Sequence, residues 1–498
     1  MCAMTPTSTS QLRVRRPFDG SVHGILAASG PEDVQAAAAR GREAQVAWAR
    51  VPVRERARVM TRLGRLVLAQ RDRILDTIQS ETGKARLSAF EEVADAARAV
   101  RVFAQAAPGL LRPARRPGAF PVLTRTVEYH RPVGLVGIIT PWNYPFTLPV
   151  TDTAHALLAG NAVLLKPDSQ SPFTALLAAE LFAAAGLPEG LLQVLPGAGR
   201  TLGPALVAEV DYLMFTGSTQ TGRTLAAQCA ERLIGFSGEL GGKNPLLVLA
   251  DADVRAAAAG TVRAAFANTG QLCISIERAY VESAVYDAYV AELVAQVSAL
   301  RLGAGYDWAV DVGSLASAGQ REKVAAHVDD AVARGATVLA GGRARPDLGP
   351  FFYEPTVLTG VTEDMALCRD ETFGPVLSVY RVASEDEAVA RANDSRYGLN
   401  ASVWSARRGP EVAARLRVGT VNVNEGYAAA WGSHAASMGG AGESGIGRRH
   451  GSHGLLKYTE PQTVAEQRLF PIAPFGGLDN AGYATLLARA VGLLNRLP

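Results

Sequence analysis

The sequence predicts an α/β protein built on doubly wound parallel sheets, and three observations carry that prediction. Short apolar runs of strand length alternate with helix-length segments, first over residues 133–216 and again from about Gly242 to Met438. The 498 residues exceed what one hydrophobic core accommodates, so two or more domains are expected. With 48% hydrophobic and 19% charged residues, the composition is that of a packed globular chain; disorder needs fewer apolar side chains and a larger net charge.

From Pro31 to Ala107 the apolar residues recur at three- and four-residue steps among Arg, Glu and Gln, which is a helical period. Pro31-Glu32-Asp33 opens the first helix, with proline and carboxylates suited to a first turn. Gly83 ends one helix and residues 87–103 continue as another. A Pro- and Arg-rich connector, 108–117, leads to residues 122–131, whose alternation is strand-like. Residues 133–139 (VGLVGII) form a continuous apolar run bounded by Pro132 and Thr140-Pro141, the signature of a strand buried on both faces. Helices over 148–158 and 172–185 then alternate with strands at 161–166, 191–195 and 212–216. A parallel sheet of this kind takes ligands at the C-terminal ends of its strands. The second α/β region carries strands at 245–249, 278–281, 337–340, 376–380, 401–404 and 420–423. Residues 458–468 read as another strand, and 481–497 as an amphipathic helix too short to span a bilayer.

The formal net charge of +3, from 50 Lys+Arg against 47 Asp+Glu, is too balanced to imply a nucleic-acid partner. The local positive excess over 101–131 reads as a solvated or subunit-facing surface. Four scattered cysteines (Cys2, Cys229, Cys273, Cys368) form no CxxC pair, so neither a disulfide scaffold nor a metal site is expected. The N-terminus lacks the apolar core of a signal peptide and no apolar run reaches membrane-spanning length, so a cytoplasmic location and no membrane partner are expected.

The chemistry centres on residues 264–277, AAFANTGQLCISIE, where a helical run breaks at a glycine just before Cys273. A thiol past such a break rides on irregular backbone and can face a cleft, where its thiolate attacks carbonyls. A lone cysteine is more often buried packing. Four further patches weigh against that here: Thr140-Pro141-Trp142-Asn143-Tyr144-Pro145, Lys166-Pro167-Asp168-Ser169, Phe215-Thr216-Gly217-Ser218-Thr219-Gln220-Thr221-Gly222, and Gly238-Glu239-Leu240-Gly241-Gly242-Lys243-Asn244-Pro245.

In this order, and followed by Asn268-Thr269-Gly270-Gln271-Leu272-Cys273, these patches resemble the NAD(P)-dependent aldehyde dehydrogenase superfamily over roughly residues 17–468. Glu371-Thr372-Phe373-Gly374-Pro375 and the glycine-rich stretch 438–447 extend the likeness. The resemblance implies that Cys273 attacks an aldehyde, that Asn143 and the backbone N–H of Cys273 hold the resulting oxyanion, and that Glu239 activates the deacylating water. It implies that Lys166 binds the adenosine ribose, that Glu371 grips the nicotinamide ribose, and that Phe373 lies near the nicotinamide. Gly217 and Gly222 would let backbone approach the dinucleotide and Ser218 would donate to its pyrophosphate. Trp142 would line the site, with ordinary packing an equal alternative.

One position bears on the choice of cofactor. Many NAD-specific relatives carry a glutamate three residues after the lysine; this chain has Ser169, which removes a repulsion against a 2′-phosphate, so NADP is expected ahead of NAD. The likeness also implies a dinucleotide-binding domain over 1–117 and 134–240, a catalytic domain over 241–440, a β oligomerisation arm from 118–133 and 456–470, and a C-terminal tail over 471–498. The arm implies a homodimer or homotetramer.

The stretches KPDSQSP, GQLCISIER and KYTEPQTV are most similar to bacterial members of the succinate-semialdehyde dehydrogenase branch. Relatives that bind a substrate carboxylate place arginines at positions occupied here by Thr151 and Ala267. Ser433, His434 and Arg278 are other candidates for an anion contact, and an uncharged aliphatic or aromatic aldehyde stays open as substrate. A CoA-acylating relative and a catalytically silent structural member are the remaining alternatives. Ser275 stands where some relatives have a second cysteine, so no local disulfide is expected.

Overall fold

The apolar run at 133–139 becomes the strand Leu135–Ile139, buried at every residue, near the middle of a six-stranded sheet. The computed structural model describes residues 11–120 and 122–496. The reading of the first ten residues, Cys2 included, and the end of the last helix at Leu497 fall outside them. In order across the sheet the strands are Gly445–Ile446, Gly235–Glu239, Tyr212–Thr216, Leu135–Ile139, Ala162–Lys166 and Leu192–Val194. All run parallel except Gly445–Ile446, which pairs antiparallel with Gly235–Glu239. The helices Thr147–Ala159 and Pro172–Ala184 follow two of these strands, within one or two residues of the expected bounds.

Gly235–Glu239 has no counterpart in the sequence reading. Its GFSGE holds two glycines and one apolar side chain, so neither β-propensity nor alternation marks it; pairing with Tyr212–Thr216 makes it a strand.

The second α/β region forms a seven-stranded sheet, in the order Thr337–Ala340, Thr356–Thr359, Val376–Val382, Ile276–Glu282, Asn244–Val248, Asn400–Trp404 and Thr420–Val423. Only Thr337–Ala340 runs antiparallel to its neighbour. Leu246, Val248, Ala279 and Val281 pack into a core with Phe266 and Tyr289, while Leu247 and Tyr280 enter a second core with Val324 and Met365. Alternate residues of one strand thus reach two different cores, as a sheet covered on both faces requires.

Four helices, Pro31–Arg50, Val53–Ala69, Arg71–Thr82 and Arg86–Leu110, occupy the early helical region. Gly83 stops the third at φ +71°, in the left-handed region; a Cβ there would lie 2.1 Å from Ser314 Oγ. The hairpin of Gln11–Arg15 with Val22–Ala27 was not expected; only Val14 is buried in it, too little apolar pattern to read.

By contacts the chain divides into two units, Met1–Leu110 with Pro132–Tyr458, and Leu111–Arg131 with Thr459–Pro498. Both large sheets belong to the first. The second contains a three-stranded sheet, Thr459–Gln467, Thr124–Pro132 and Ala114–Arg116, and the helix Asn480–Leu494, none of whose residues is buried. Among the described residues no helix is long and apolar enough to cross a membrane.

Candidate active site

The C-terminal ends of four neighbouring parallel strands deliver four of the sequence-named patches. Glu239 ends one strand and Lys166 another, Gly217-Ser218 follow Thr216, and Trp142-Asn143 follow Ile139 within four residues. A cleft with about 800 Å³ of empty space, open to solvent, lies against these ends. Trp142, Asn143, Gly217, Ser218, Glu239, Cys273, Glu371 and Phe373 all line it; Lys166, Ser169 and Gly222 do not.

Cys273 reaches the cleft because its helix, Val254–Phe266, is broken abruptly. Asn268, Thr269 and Gly270 follow with φ of +50°, +56° and +68°. A β-branched threonine in the left-handed region is costly, on the order of 1–3 kcal/mol, so surrounding bonds must hold it there. They do: Thr269 Oγ1 donates to Gly313 O, Gln271 Nε2 to Asn268 O, and Ala316 N to Gln271 Oε1. Gly270 is needed for close approach, since a Cβ there would sit 2.1 Å from Gly374 O. The half-buried thiol is free. Removal from water pushes it up to about 12, helped by the carboxylates of Glu239 and Glu371, while Arg449 and the Ile274 N–H pull the other way.

Asn143 is buried and held from both ends. Its backbone carbonyl accepts from Lys84 Nζ at 2.6 Å and Asn268 Nδ2 at 3.1 Å. Its side-chain nitrogen donates one N–H to Gln271 O at 2.9 Å, leaving the other for the cleft. Lys84 is itself paired with Glu92 at 2.7 Å, both side chains being 0% exposed, and Glu92 Oε2 accepts from Phe146 N and Thr147 N.

Glu239 is buried, and desolvation lifts it to about 7; Asp152 pushes it further up, whereas Arg449 and Lys457 pull it down. Arg449 Nη2 lies 2.8 Å from both Asp152 Oδ2 and Thr216 Oγ1. Lys457 Nζ approaches Ser237 Oγ at 3.2 Å. A carboxyl group poised near neutrality in a cleft can take and return a proton.

Glu371 Oε1 accepts from Gly242 N at 2.7 Å, and burial lifts this carboxyl too, to about 7. Its loop is fixed by Glu277, which accepts from Thr372 N and Phe373 N and forms a buried ion pair with Lys243. Phe373 stands at φ +57° and meets Trp142 edge-to-face, ring centroids 5.6 Å apart.

The features around Lys166 fit a dinucleotide. The residue is buried, and no described residue provides its ammonium with a hydrogen-bond acceptor. Burial pushes it down, opposed by Asp168. A Cβ on Gly199, at the start of the helix Gly199–Glu209, would stand 3.5 Å from Nζ, so the glycine keeps that approach open. Ser218 caps a second helix, Thr219–Glu231, accepting from Thr221 N. Gly222 brings that helix against Leu240, 2.5 Å from where its Cβ would be, and a Cβ on Gly217 would strike the Phe215 ring at 2.6 Å. Helix N-termini that receive anions need such close backbone. Ser169 is half-exposed in the turn after the lysine, while Asp168 Oδ1 accepts from Gln170 N inside that turn.

Sequence reading missed the supports: Lys84, Glu92, Asp152, Lys243, Glu277 and Arg449. One signal was available, since Asp152 is the single carboxylate in the helix TLPVTDTAHALLA, all of it buried, and such a charge requires a buried partner. The residues weighed as anion contacts fare differently. Arg278 donates to Lys243 O and Ala392 O, and Ser433 to Ala429 O, so both are engaged with backbone. Thr151 donates to Thr147 O within its own helix.

A family model described as "Aldehyde dehydrogenase family" matches residues 4–464. A protein of Mycolicibacterium smegmatis named "Putative succinate-semialdehyde dehydrogenase [NADP(+)]" is 52% identical over 487 residues, covering 97% of this chain and 94% of the relative. A crystal structure of succinate-semialdehyde dehydrogenase from Burkholderia pseudomallei superposes with TM-score 0.89 at 34% identity, covering 93% of this chain and 96% of the other. One of an NAD-dependent aldehyde dehydrogenase from Sinorhizobium meliloti reaches TM-score 0.91 at 33% identity, covering 94% of each.

Proposed function

The chain belongs to the aldehyde dehydrogenase family, and we propose that it oxidises succinate semialdehyde, or an aldehyde of that kind, to the acid with NADP preferred over NAD. The observation that carries this reading is the meeting of a thiol, a side-chain amide and a near-neutral carboxyl on one cleft: Cys273, Asn143 and Glu239.

Cys273 passes its proton to Glu239 and its sulfur bonds to the aldehyde carbon. The former carbonyl oxygen, now an oxyanion, is met by Asn143 Nδ2–H and the Cys273 backbone N–H. A nicotinamide dinucleotide held beside Glu371, Phe373 and Trp142 would supply the two-electron acceptor for the hydrogen on that carbon, and Cys273 would keep the acyl group as its thioester. Glu239, its first proton lost to solvent, then takes one from water as the water oxygen attacks the thioester carbon. The C–S bond breaks, the acid leaves and the sulfur regains a proton. Aldehyde, oxidised dinucleotide and water thus become acid, reduced dinucleotide and a proton. A carboxyl in the cleft supports hydrolysis over transfer to CoA.

Lys166 would hold the adenosine ribose, Ser169 the 2′-phosphate, Ser218 and the backbone at Gly217 and Gly222 the pyrophosphate, and Glu371 the nicotinamide ribose beside Phe373 and Trp142. Residues 1–117 and 134–240 are read as the dinucleotide-binding domain, 241–440 as the catalytic domain, 118–133 with 456–470 as the arm of a homodimer or homotetramer, and 471–498 as a tail. The cytoplasm is the proposed location. A specific observation favours a second substrate reading: neither Thr151 nor Ala267 offers a cation, which suits an uncharged aldehyde. Steady-state rates on a panel of aldehydes, succinate semialdehyde included, with each dinucleotide test both; no reduction of either dinucleotide across the panel overturns the activity.

A further inference from the structure

A second cavity adjoins the cleft through a shared wall of Tyr144, Leu272 and Trp431. Leu272 and Ile274, the neighbours of Cys273 in the chain, both line it, so it opens where the tail of a bound aldehyde must lie. One face of the helix Arg86–Leu110 forms its far side: Glu91, Ala94, Asp95 and Arg98 recur at three- and four-residue steps and all line the cavity. Tyr427, Trp431 and His434 face them.

The charged groups of this cavity are not equivalent. Both oxygens of Glu91 accept from the Tyr427 hydroxyl, at 3.0 and 2.9 Å. Asp95 Oδ2 accepts from the Thr147 hydroxyl, and its Oδ1 has His434 Nε2 at 3.4 Å. Burial pushes both carboxyls up, Asp95 to about 7, and holds His434 down at about 4, hence uncharged near neutrality. Arg98 differs: it is exposed, and no described residue makes a hydrogen bond or ion pair with its guanidinium. It is the one Lys or Arg among the lining residues. An unpaired guanidinium lining the same cavity as Tyr144, Tyr427 and Trp431 offers a planar fork to a carboxylate.

We infer that Arg98 is the specificity-determining residue of this pocket, binding the distal carboxylate of an aldehyde whose carbonyl sits at Cys273. The inference rests on the proposed oxidation and deepens it, replacing the arginines absent at Thr151 and Ala267 by a cation on a different helix. The two to three methylenes of a short ω-carboxylate aldehyde would cross the stretch walled by Tyr144, Leu272 and Trp431.

The test compares kcat/KM with NADP for three aldehydes of similar length: succinate semialdehyde, butanal and the cationic 4-trimethylaminobutanal. The wild type should prefer the anion. Arg98→Met should lower the ratio of succinate semialdehyde to butanal about 10- to 100-fold, mainly through KM, as expected for one charge-assisted contact. Arg98→Glu should lower it further, and Arg98→Lys should recover part of it, which a merely structural role would not produce. An unchanged ratio in Arg98→Met, with the wild type still preferring succinate semialdehyde, overturns the role of Arg98 and leaves the proposed function standing. A wild type that prefers butanal or the cation overturns the carboxylate reading itself, and the cation result would assign the pocket to Glu91 and Asp95. Thermal unfolding of each variant separates loss of contact from loss of fold.

Discussion

Arg449 and Asp152 form an ion pair at 2.8 Å with side chains only 4% and 1% exposed, and both charges act on Glu239. Asp152 Oδ1 and Arg449 Nε have no hydrogen-bond partner among the described residues, so the pair is held by one contact and by Thr216. Glu239 must be ionised to accept a proton, and it stands near 7, so kcat/KM should rise with pH through that region and fall off below it. Arg449 stabilises the ionised form; Arg449→Met should therefore move this limb to higher pH, and Asp152→Asn to lower pH. A pH–rate profile reads both shifts, and a limb that stays fixed in both variants would detach the pair from Glu239. Arg449→Met also strands a buried carboxylate, which costs about 3–5 kcal/mol of stability.

Cys273→Ala should abolish oxidation while NADP binding, followed by fluorescence titration, persists. Turnover that survives would move the nucleophile elsewhere. Asn143→Ala should lower kcat about 10²- to 10³-fold, the usual loss for one oxyanion donor. The same variant with little change in kcat would reduce Asn143 to its structural bond with Gln271.

Glu277 ties Thr372 and Phe373 to Lys243, and through them sets Glu371. Glu277→Ala should leave Lys243 buried without its partner, lowering stability by about 3–5 kcal/mol in urea unfolding. It should also weaken NADP binding more than aldehyde binding, because the loosened loop carries the residues assigned to the nicotinamide ribose. Equal losses for both ligands would count against that division.

Ser169→Glu should shift the NADP/NAD ratio of kcat/KM towards NAD, since a carboxylate repels a 2′-phosphate and accepts from a 2′-hydroxyl. An unchanged ratio would show that Ser169 does not face the ribose.

The helix Asn480–Leu494 and the strand Thr459–Gln467 leave Val464, Leu486, Val491 and Leu493 exposed. Light scattering should return a multiple of the 52.3 kDa chain mass, and a monomeric mass at micromolar concentration would remove the homo-oligomer.

The sequence by itself determined most strands of the two large sheets, though not Gly235–Glu239, Thr356–Thr359 or Gly445–Ile446, and it determined the reactive segment. The runs at Leu135–Ile139, Ala162–Lys166 and Tyr212–Thr216, apolar but for Lys166 and Thr216 at their C-terminal ends, are strands because strands buried on both faces are near-continuously apolar, and that is a local property. The break before Cys273 is likewise local, since the helical period of the preceding segment ends at a glycine three residues before the thiol. Gly235–Glu239 was invisible, being a strand only by virtue of its neighbour. Only the tertiary structure decided how Asn143, Glu239 and Cys273 share one cleft, and which charges lie behind them. Lys84 with Glu92, Lys243 with Glu277, and Arg449 with Asp152 are pairs of residues that ordinarily face water. A side chain's identity states its charge, but whether that charge is buried, and against which partner, depends on packing between segments remote along the chain. The proton affinity of Glu239 and the free guanidinium of Arg98 are consequences of that packing.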